Sequence, residues 1–352
     1  MAESDSEEPG PTDTEAYRTS MIRRAIANAE TARLRSRPNP WVGAVLVDRY
    51  GVVYDGATHP PGGMHAEREV LAAAGDAAAG STVFTTLEPC NHTGRTGPCT
   101  QALIDAGVAR VVVGITDPDP LVNGSGVAAL REAGVEVVTD VESGAVAEQL
   151  APYITNRTTG RPHVIVKLAT TLDGFIAAPD GNSQWITGAE ARRDAHRLRA
   201  ESDAIIVGSG TLKTDDPSLT VRDFTPASAD DSHSNLDPWR IVLGASAAPL
   251  EENAKAAPFE SWSGSIEDLL DDLGARGWLQ VMVEGGAAVA GSFHRSGLVD
   301  EYWFYIAPAI MGGGDGQPAF SGDGAPTMAD IARGRFVDVV QLGEDIRLRY
   351  RP

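Results

Sequence analysis

The sequence predicts an α/β protein built of two domains. Strand-like apolar runs alternate with helix-like amphipathic segments along both halves of the chain, the pattern of sheets covered by helices. At 352 residues the chain exceeds the usual size of one domain. A polar stretch at 151–161 separates the two series, so we expect domains at 15–150 and 162–352, joined by a linker and preceded by a disordered acidic tail at 1–14.

The first half alternates strands and helices. Apolar residues at helical spacing predict a helix at 15–34 that stops before Pro38, and the continuous apolar run 42–47 predicts a strand buried on both faces. A helix beginning at 144 is expected to run into the linker. Between them the predicted elements are strand 51–59, helix 66–74, strand 81–87, helix 98–106, strand 110–115, helix 127–133 and strand 135–139.

The second half repeats this alternation after the linker. Two stretches rich in Ala, Ser, Asp, Glu and Pro, at 224–237 and 245–259, are interpreted as surface excursions. The predicted elements are strand 163–168, helix 189–201, strand 204–207, strand 239–244, helix 265–275, strand 279–283, helix 287–296 and strand 302–306.

Charge and composition disfavour several classes of function. The net charge of −20 argues against a nucleic-acid partner, since phosphate binding is driven by Lys and Arg. No run of about 18 apolar residues occurs, so no membrane span is predicted. The N-terminus lacks the apolar segment of a signal peptide, which favours a cytoplasmic, reducing setting. We therefore expect the two cysteines to be thiols, with a disulfide as the alternative.

One group of residues predicts a catalytic metal. His65, Cys90 and Cys99 are ligand types that Zn²⁺ prefers, and three protein ligands leave the fourth tetrahedral position open, as in catalytic zinc sites. His-x-Glu followed by Pro-Cys and a second Cys is the signature of zinc-dependent deaminases, although eight residues separate the cysteines here instead of two. A structural zinc module is the alternative interpretation.

These residues predict hydrolytic deamination of a heterocycle. Zinc of this kind lowers the pKa of water towards about 7, and Glu67 would carry a proton from that water to the departing ammonia. The residues between the cysteines add His92 and Arg95 at the rim of the site. Arg95 is predicted to meet an anionic group of the substrate, since arginine suits phosphate, and a solvated loop is the alternative.

Glycine-rich turns follow two strands of the second half, at 207–211 and 283–286. The second turn precedes a helix, whose N-terminal N–H groups can hold a phosphate. Neither turn matches GxGxxG, so a purely structural role stays open for both.

The motifs together closely resemble the bifunctional deaminase/reductase family of riboflavin biosynthesis, from about Glu15 to the C-terminus. The matching motifs of the first half are PNPWVG at 38–43, HAE at 65–67, LEPC at 87–90, GRTGPC at 94–99 and DPDP at 117–120. Those of the second half are KLA at 167–169, LDG at 172–174, SQWIT at 183–187, DDP at 215–217, LTVR at 219–222 and EGG at 284–286.

This resemblance implies a cytidine-deaminase-like first domain and a dihydrofolate-reductase-like second domain, assembled as a homo-oligomer. The implied substrate is a diaminopyrimidinone ribosylamine 5′-phosphate, which is first deaminated and then reduced, its ribosyl group becoming ribityl. The implied cofactors are Zn²⁺ and NADPH. The chain departs from the family at Asp119, where asparagine is more frequent.

The resemblance also implies individual site residues. Zinc would lie on His65, Cys90 and Cys99, with Glu67 as proton shuttle, and Lys167 and Asp215 would give polar catalytic support to the reductase. Implied deaminase substrate contacts are Asn39, His59, Arg95 and Asp117, and implied reductase substrate contacts are Ser183, Arg199, Leu219, Arg222 and Glu284. Implied NADPH contacts are Ala169, Trp185, Thr211, Asp215, Gly286, Ala287, Ala288, Val289, Ala290, Gly291 and Ser292.

Two other functions stay open at this point. In the first, the chain is a deaminase whose second half is only a binding or oligomerisation module. In the second, it deaminates a nucleic-acid base, which the acidic charge and the lack of a basic stripe disfavour.

Overall fold

The computed structural model describes residues 14–92, 97–120, 122–226, 236–244 and 254–352. The chain divides into two compact units, Met1–Thr158 and Thr159–Pro352. Apart from Thr14, the predicted acidic tail lies outside the described residues. Within the described ranges, no helix combines the length and apolar character needed to cross a membrane.

The first unit contains a five-stranded sheet with helices, in the predicted order of strands and helices. Its elements are α1 (Glu15–Ala32), β1 (Gly43–Val47), β2 (Val53–Ala57), α2 (Ala66–Ala74), a short 3₁₀ helix (Gly75–Ala78), β3 (Thr82–Leu87), α3 (Cys99–Asp105), β4 (Arg110–Ile115), α4 (Ser125–Glu132), β5 (Glu136–Val138), α5 (Ser143–Gln149) and α6 (Ala151–Thr159).

Strand directions in this sheet bring distant parts of the sequence to one edge. The strand order is β2-β1-β3-β4-β5, with β1 antiparallel to both neighbours and β3, β4 and β5 parallel. Gly43 at the start of β1 pairs with Ala57 at the end of β2. Leu87 at the end of β3 pairs with Ile115 at the end of β4. The segments that precede β1 and follow β2, β3 and β4 therefore emerge side by side.

The stretch predicted as a linker, 151–161, is mostly helical. Helix α6 occupies Ala151–Thr159, and its Pro152, Tyr153 and Asn156 are buried. The composition of this segment is polar, which is why it was predicted as a linker. The contacts of the buried face nevertheless stabilise it as a short helix. The two compact units divide after Thr158.

The elements of the second unit are β6 (His163–Thr170), β7 (Phe175–Ala177), α7 (Ala189–Ala200), β8 (Ala204–Gly208), α8 (Ser209–Asp215), β9 (Trp239–Leu243), β10 (Glu260–Trp262), α9 (Ile266–Ala275), β11 (Gln280–Val283), α10 (Ala287–Ser296), β12 (Glu301–Ile306), β13 (Gln317–Pro318), β14 (Arg335–Leu342) and β15 (Asp345–Arg351). Eight of these strands form a sheet in the order β10-β9-β8-β11-β6-β12-β15-β14, parallel from β10 to β12, with antiparallel β15 and β14 at the edge. Strands β13 and β7 form a separate two-stranded sheet.

Helices cover both faces of this sheet. Val164 and Val166 of β6 pack with Phe293 of α10, whereas Ile165 between them packs with Leu198 of α7. Alternate residues of one strand thus enter opposite cores, which explains why the central strands are continuous apolar runs. The predicted excursions at 224–237 and 245–259 lie largely outside the described residues.

Candidate active sites

The three predicted metal ligands come together at the sheet edge where β1 begins and where β2, β3 and β4 end. His65 immediately precedes α2, Cys90 follows β3, and Cys99 is the first residue of α3. Their ligand atoms all lie within 4.8 Å of one another. Nδ1 of His65 is 3.4 Å from Sγ of Cys99 and 3.6 Å from Sγ of Cys90. Both cysteines are free, so the alternative of a disulfide is not adopted.

These residues fit a zinc ion. Tetrahedral zinc with nitrogen at about 2.0 Å and sulfur at about 2.3 Å spaces such ligand atoms about 3.5 Å apart. Hydrogen bonding between the two cysteine side chains lowers the pKa of Cys90 and raises the pKa of Cys99. The lowered pKa favours the thiolate of Cys90, the form of cysteine that binds metals.

Glu67 lies beside this cluster, in the first turn of α2. Its side chain is buried, with a residue exposure of 4%. Burial raises the pKa of Glu67 to about 7, and the negative charge of Cys90 adds to the shift. A carboxyl group with a pKa near neutrality suits a residue that must both accept and release a proton.

The other residues predicted for the deaminase surround the same edge. Asn39 precedes β1, His59 follows β2, and Asp117 follows β4. Nε2 of His59 lies 3.1 Å from Oε1 of Glu69. The fourth predicted contact, Arg95, lies outside the described residues.

Asp117 and Asp119 are held by side chains of α6. The Tyr153 hydroxyl donates to the buried carboxylate of Asp117, 3.1 Å from Oδ1. Burial raises the pKa of Asp117. Asp119 pairs with Arg157, whose Nε is 3.7 Å from Oδ2, so the departure from asparagine at 119 is accompanied by a compensating positive charge.

A second cluster of charges lies in the other unit, where β6 and β11 are neighbours. Nζ of Lys167 is 3.0 Å from Oε1 of Glu284, and Nη2 of Arg199 is 2.7 Å from Oε2 of the same carboxylate. Lys167 is in β6, Glu284 follows β11, and Arg199 is in α7. Burial alone would raise the pKa of Glu284, but the charges of Arg199 and Lys167 outweigh it and hold the pKa at about 2.

This pKa predicts acid sensitivity of the second unit. Because the pKa of Glu284 falls from 4.5 to about 2 on folding, its contribution to the free energy of unfolding is fully present above pH 4.5 and is lost as the pH falls towards 2. The contribution is about 3 kcal/mol. Urea unfolding of wild type and of Glu284→Gln can be followed by tryptophan fluorescence, since five of the six tryptophans lie in this unit. Wild type should lose more stability than the variant over that range; parallel losses would contradict the prediction.

The N-terminus of α10 offers a place for a phosphate group of a dinucleotide. Gly286 is the N-cap residue of the helix and has no side chain of its own to cap it. The Gly286 N–H donates to Oγ1 of Thr211, 3.2 Å away, which ties α8 to this helix. Residues 209–211, predicted as part of a turn, are the start of α8. A Cβ on Gly285 would lie 2.6 Å from Cβ of Val289, so the backbone approaches the helix as only glycine allows. The predicted NADPH contacts at 286–292 comprise the N-cap residue and the first part of α10, and this geometry fits a bound phosphate.

The remaining predicted reductase residues have varied surroundings. Leu219 is buried with a positive φ of 54°. Trp185 is 68% exposed, and the Arg192 guanidinium carbon lies 4.7 Å from its ring centre. Asp215 ends α8 with an exposed side chain and, within the described residues, makes no hydrogen bond to Lys167. Ser183 precedes α7 in a partly exposed loop, and Ala169 is a half-buried residue of β6.

Arg222 contacts a residue that sequence reasoning missed. The backbone N–H of Arg222 donates to Nδ1 of His196, 3.1 Å away. Burial, with the positive charge of Arg199, lowers the pKa of His196 to about 4. The ring is therefore neutral near pH 7, and since Nδ1 accepts, we assign its proton to Nε2.

Other missed residues are Glu88, Tyr153 and Arg157. Tyr153 and Arg157 are four residues apart and therefore share one face of a helix, but 151–161 was predicted as a linker. Glu88 lies within the LEPC motif, and its carboxylate accepts hydrogen bonds from backbone N–H groups.

Two family profiles match the chain. One, described as the cytidine and deoxycytidylate deaminase zinc-binding region, matches residues 16–115, and one described as the RibD C-terminal domain matches residues 162–348. The riboflavin biosynthesis protein RibD of Corynebacterium ammoniagenes is 43% identical over 298 residues, covering 83% of this chain and 86% of the relative. The RibD protein of Mycobacterium tuberculosis is 40% identical over 335 residues, covering 92% and 94%.

Solved structures give the same match. Acinetobacter baumannii RibD superposes with a TM-score of 0.86 at 34% identity, covering 96% of this chain and 99% of that one. A diaminohydroxyphosphoribosylaminopyrimidine deaminase/5-amino-6-(5-phosphoribosylamino)uracil reductase from Thermotoga maritima superposes with a TM-score of 0.83 at 31% identity, with the same coverage.

Proposed function

Because this chain belongs to the RibD family of riboflavin biosynthesis proteins, we propose roles for the individual residues of its two sites. The chain is a bifunctional enzyme, a zinc-dependent deaminase and an NADPH-dependent reductase. A deaminase with an inactive second half is not favoured, since the reductase-domain match spans residues 162–348. The substrate is a small-molecule pyrimidine.

In the first unit, we propose that His65, Cys90 and Cys99 hold zinc, which supplies Lewis-acid activation of water. Glu67 accepts a proton from that water and passes it to the amino group that leaves as ammonia. Asn39, His59, Asp117 and Arg95 recognise the pyrimidine and its ribose phosphate. The observation that carries this proposal is the buried Glu67 beside three converging ligands.

In the second unit, we propose that Lys167 and Arg199 present positive charge to the ribosyl phosphate chain, with Glu284 fixing both. When bound, NADPH supplies a hydride to C1′ of the ribosyl group, which becomes ribityl. Gly286 and the first turn of α10 hold a cofactor phosphate, and Thr211 fixes that turn. Ala169, Trp185 and Asp215 line the cofactor, while Ser183, Leu219 and Arg222 contact the substrate.

Zinc removal tests the division of labour between the units. Treatment with a chelator should abolish ammonia release, because the three proposed ligands all belong to the deaminase. NADPH oxidation with already deaminated substrate should persist, since Lys167, Arg199 and Glu284 hold one another without metal. Zinc analysis before and after treatment measures how much zinc each chain holds. Loss of both activities at the same chelator concentration would contradict separate sites.

We further propose a homo-oligomer in a reducing, cytoplasmic setting without nucleic-acid or membrane partners. The free cysteine pair supports the reducing setting, since zinc binding needs thiolates. The net charge of −20 supports the absence of nucleic acid. Light scattering of the purified protein tests the oligomer.

A further inference from the structure

Glu88 is a buried carboxylate that accepts four backbone hydrogen bonds. Its residue exposure is 3%. Oε2 accepts from the N–H groups of Asp117 at 3.0 Å and Gly124 at 2.9 Å. Oε1 accepts from the N–H groups of Gly126 at 2.7 Å and Val127 at 3.0 Å. All four donors lie 29 to 39 residues further along the chain, so one side chain organises a distant segment.

Three of these donors form the N-terminus of α4. Gly124 is the N-cap residue, and Gly126 and Val127 are in the first turn. These N–H groups have no partner within the helix, and a negative charge is favourable at this end of the helix dipole. Glu88 therefore caps α4 from another part of the chain.

Close backbone contact joins the same two segments. A Cβ on Gly126 would lie 2.1 Å from the carbonyl oxygen of Pro89 and 3.1 Å from Oε1 of Glu88. Only glycine permits this approach. Gly124, with a φ of 87°, also has the left-handed backbone that favours glycine. The start of α4 is therefore pressed against the segment that leads into Cys90.

Glu88 thereby connects the metal side of the site with the substrate side. Cys90, a proposed zinc ligand, is two residues after Glu88. Asp117, a proposed substrate contact, donates its N–H to Glu88 and accepts from Tyr153 through its carboxylate. We infer that Glu88 is a positioning residue, which fixes Asp117 and the start of α4 relative to the zinc-binding Cys90. This inference rests on the proposed deaminase function.

Glu88→Gln tests the inference with little change in volume. Whichever way the amide is turned, its NH₂ group faces two backbone N–H groups, so two hydrogen bonds are lost. We expect KM for the pyrimidine ribosylamine phosphate to rise about tenfold, while kcat stays within about threefold. Zinc content and reductase activity should equal those of wild type, and hydrogen exchange should quicken at two of the four donor amides.

Asp48→Asn is the matched control. Asp48 is also buried and accepts the N–H groups of Tyr50 and Val52, both at 2.8 Å, in the turn between β1 and β2. Because Oδ1 alone accepts both bonds, the asparagine keeps this acceptor and the two bonds lose only the strength that the negative charge gives them. A small loss of stability without a change in KM is expected. If Glu88→Gln does not fold, Gly126→Ala supplies the test, since its Cβ would push α4 away from Pro89 with Glu88 intact. The same rise in KM is then expected.

Three results would overturn the inference. The first is a wild-type KM in the variant that folds. The second is loss of zinc from Glu88→Gln, which would place the role of Glu88 at the metal ligands. The third is an equal rise in KM in Asp48→Asn, which would show that Glu88 only stabilises the fold. Failure of the proposed function is distinguishable, because the wild-type protein would then release no ammonia.

Discussion

Glu67→Gln should abolish ammonia release while the protein keeps its zinc. The substitution preserves volume in a buried site but removes the group that accepts and releases the proton. Proton transfer by a positioned side chain contributes about 10² to 10⁴ to a rate, so we expect kcat to fall by about 10³ or more. Ammonia release and zinc content, measured on one preparation, check the prediction.

The second unit supplies the internal control for this variant. NADPH oxidation with already deaminated substrate should be unchanged, since Glu67 belongs to the first unit. Glu136→Gln is a matched surface control, because Glu136 pairs with Arg110 at 2.8 Å and its side chain is 57% exposed. Loss of zinc from Glu67→Gln would show that Glu67 is a ligand and would contradict its role as proton shuttle.

Lys167→Met should abolish reduction and leave deamination intact. The variant keeps an unbranched side chain of similar length but removes the positive charge that lies 3.0 Å from Glu284. Removing one preorganised electrostatic contact typically costs about 10² to 10³ in kcat, and we expect a loss of this size. Single-turnover NADPH oxidation with deaminated substrate gives the rate of the chemical step.

A surface ion pair provides the control for Lys167. Arg161→Met breaks the pair with Asp271, at 2.6 Å, in the same unit and should leave NADPH oxidation unchanged. Exposed pairs contribute little to stability. A wild-type rate in Lys167→Met would remove Lys167 from the reductase site.

Much of the fold follows from the pattern of apolar residues. Helices α2 and α10 have the predicted bounds, because each apolar face is regular and each begins after a recognisable motif. The hairpin of β14 and β15 was not predicted, although the alternation of apolar residues and arginine in IRLRYR at 346–351 is a strand pattern. Arg349 and Arg351 of this hairpin form ion pairs with the buried Glu301, and such tertiary pairs cannot be identified from the local pattern.

The metal cluster was predictable from the residues themselves, since histidine and cysteine in one motif have few other reasons to occur together. Family resemblance implied Lys167, Arg199 and Glu284 one by one but not their contact, because the lysine and the glutamate are 117 positions apart in the sequence. Glu88 was missed for a different reason. Its partners are backbone N–H groups, which every residue but proline carries, so no side-chain pattern marks them.

The most direct test of a two-step enzyme measures ammonia release and NADPH oxidation on one sample. Purified wild-type protein, supplied with the diaminopyrimidinone ribosylamine phosphate and NADPH, should release one ammonia for each NADPH oxidised. Without NADPH, ammonia release should continue. With Glu67→Gln, both signals should vanish until deaminated substrate is added, which should restore NADPH oxidation alone. NADPH oxidation by Glu67→Gln with the undeaminated substrate, at the wild-type rate, would contradict deamination as the first step.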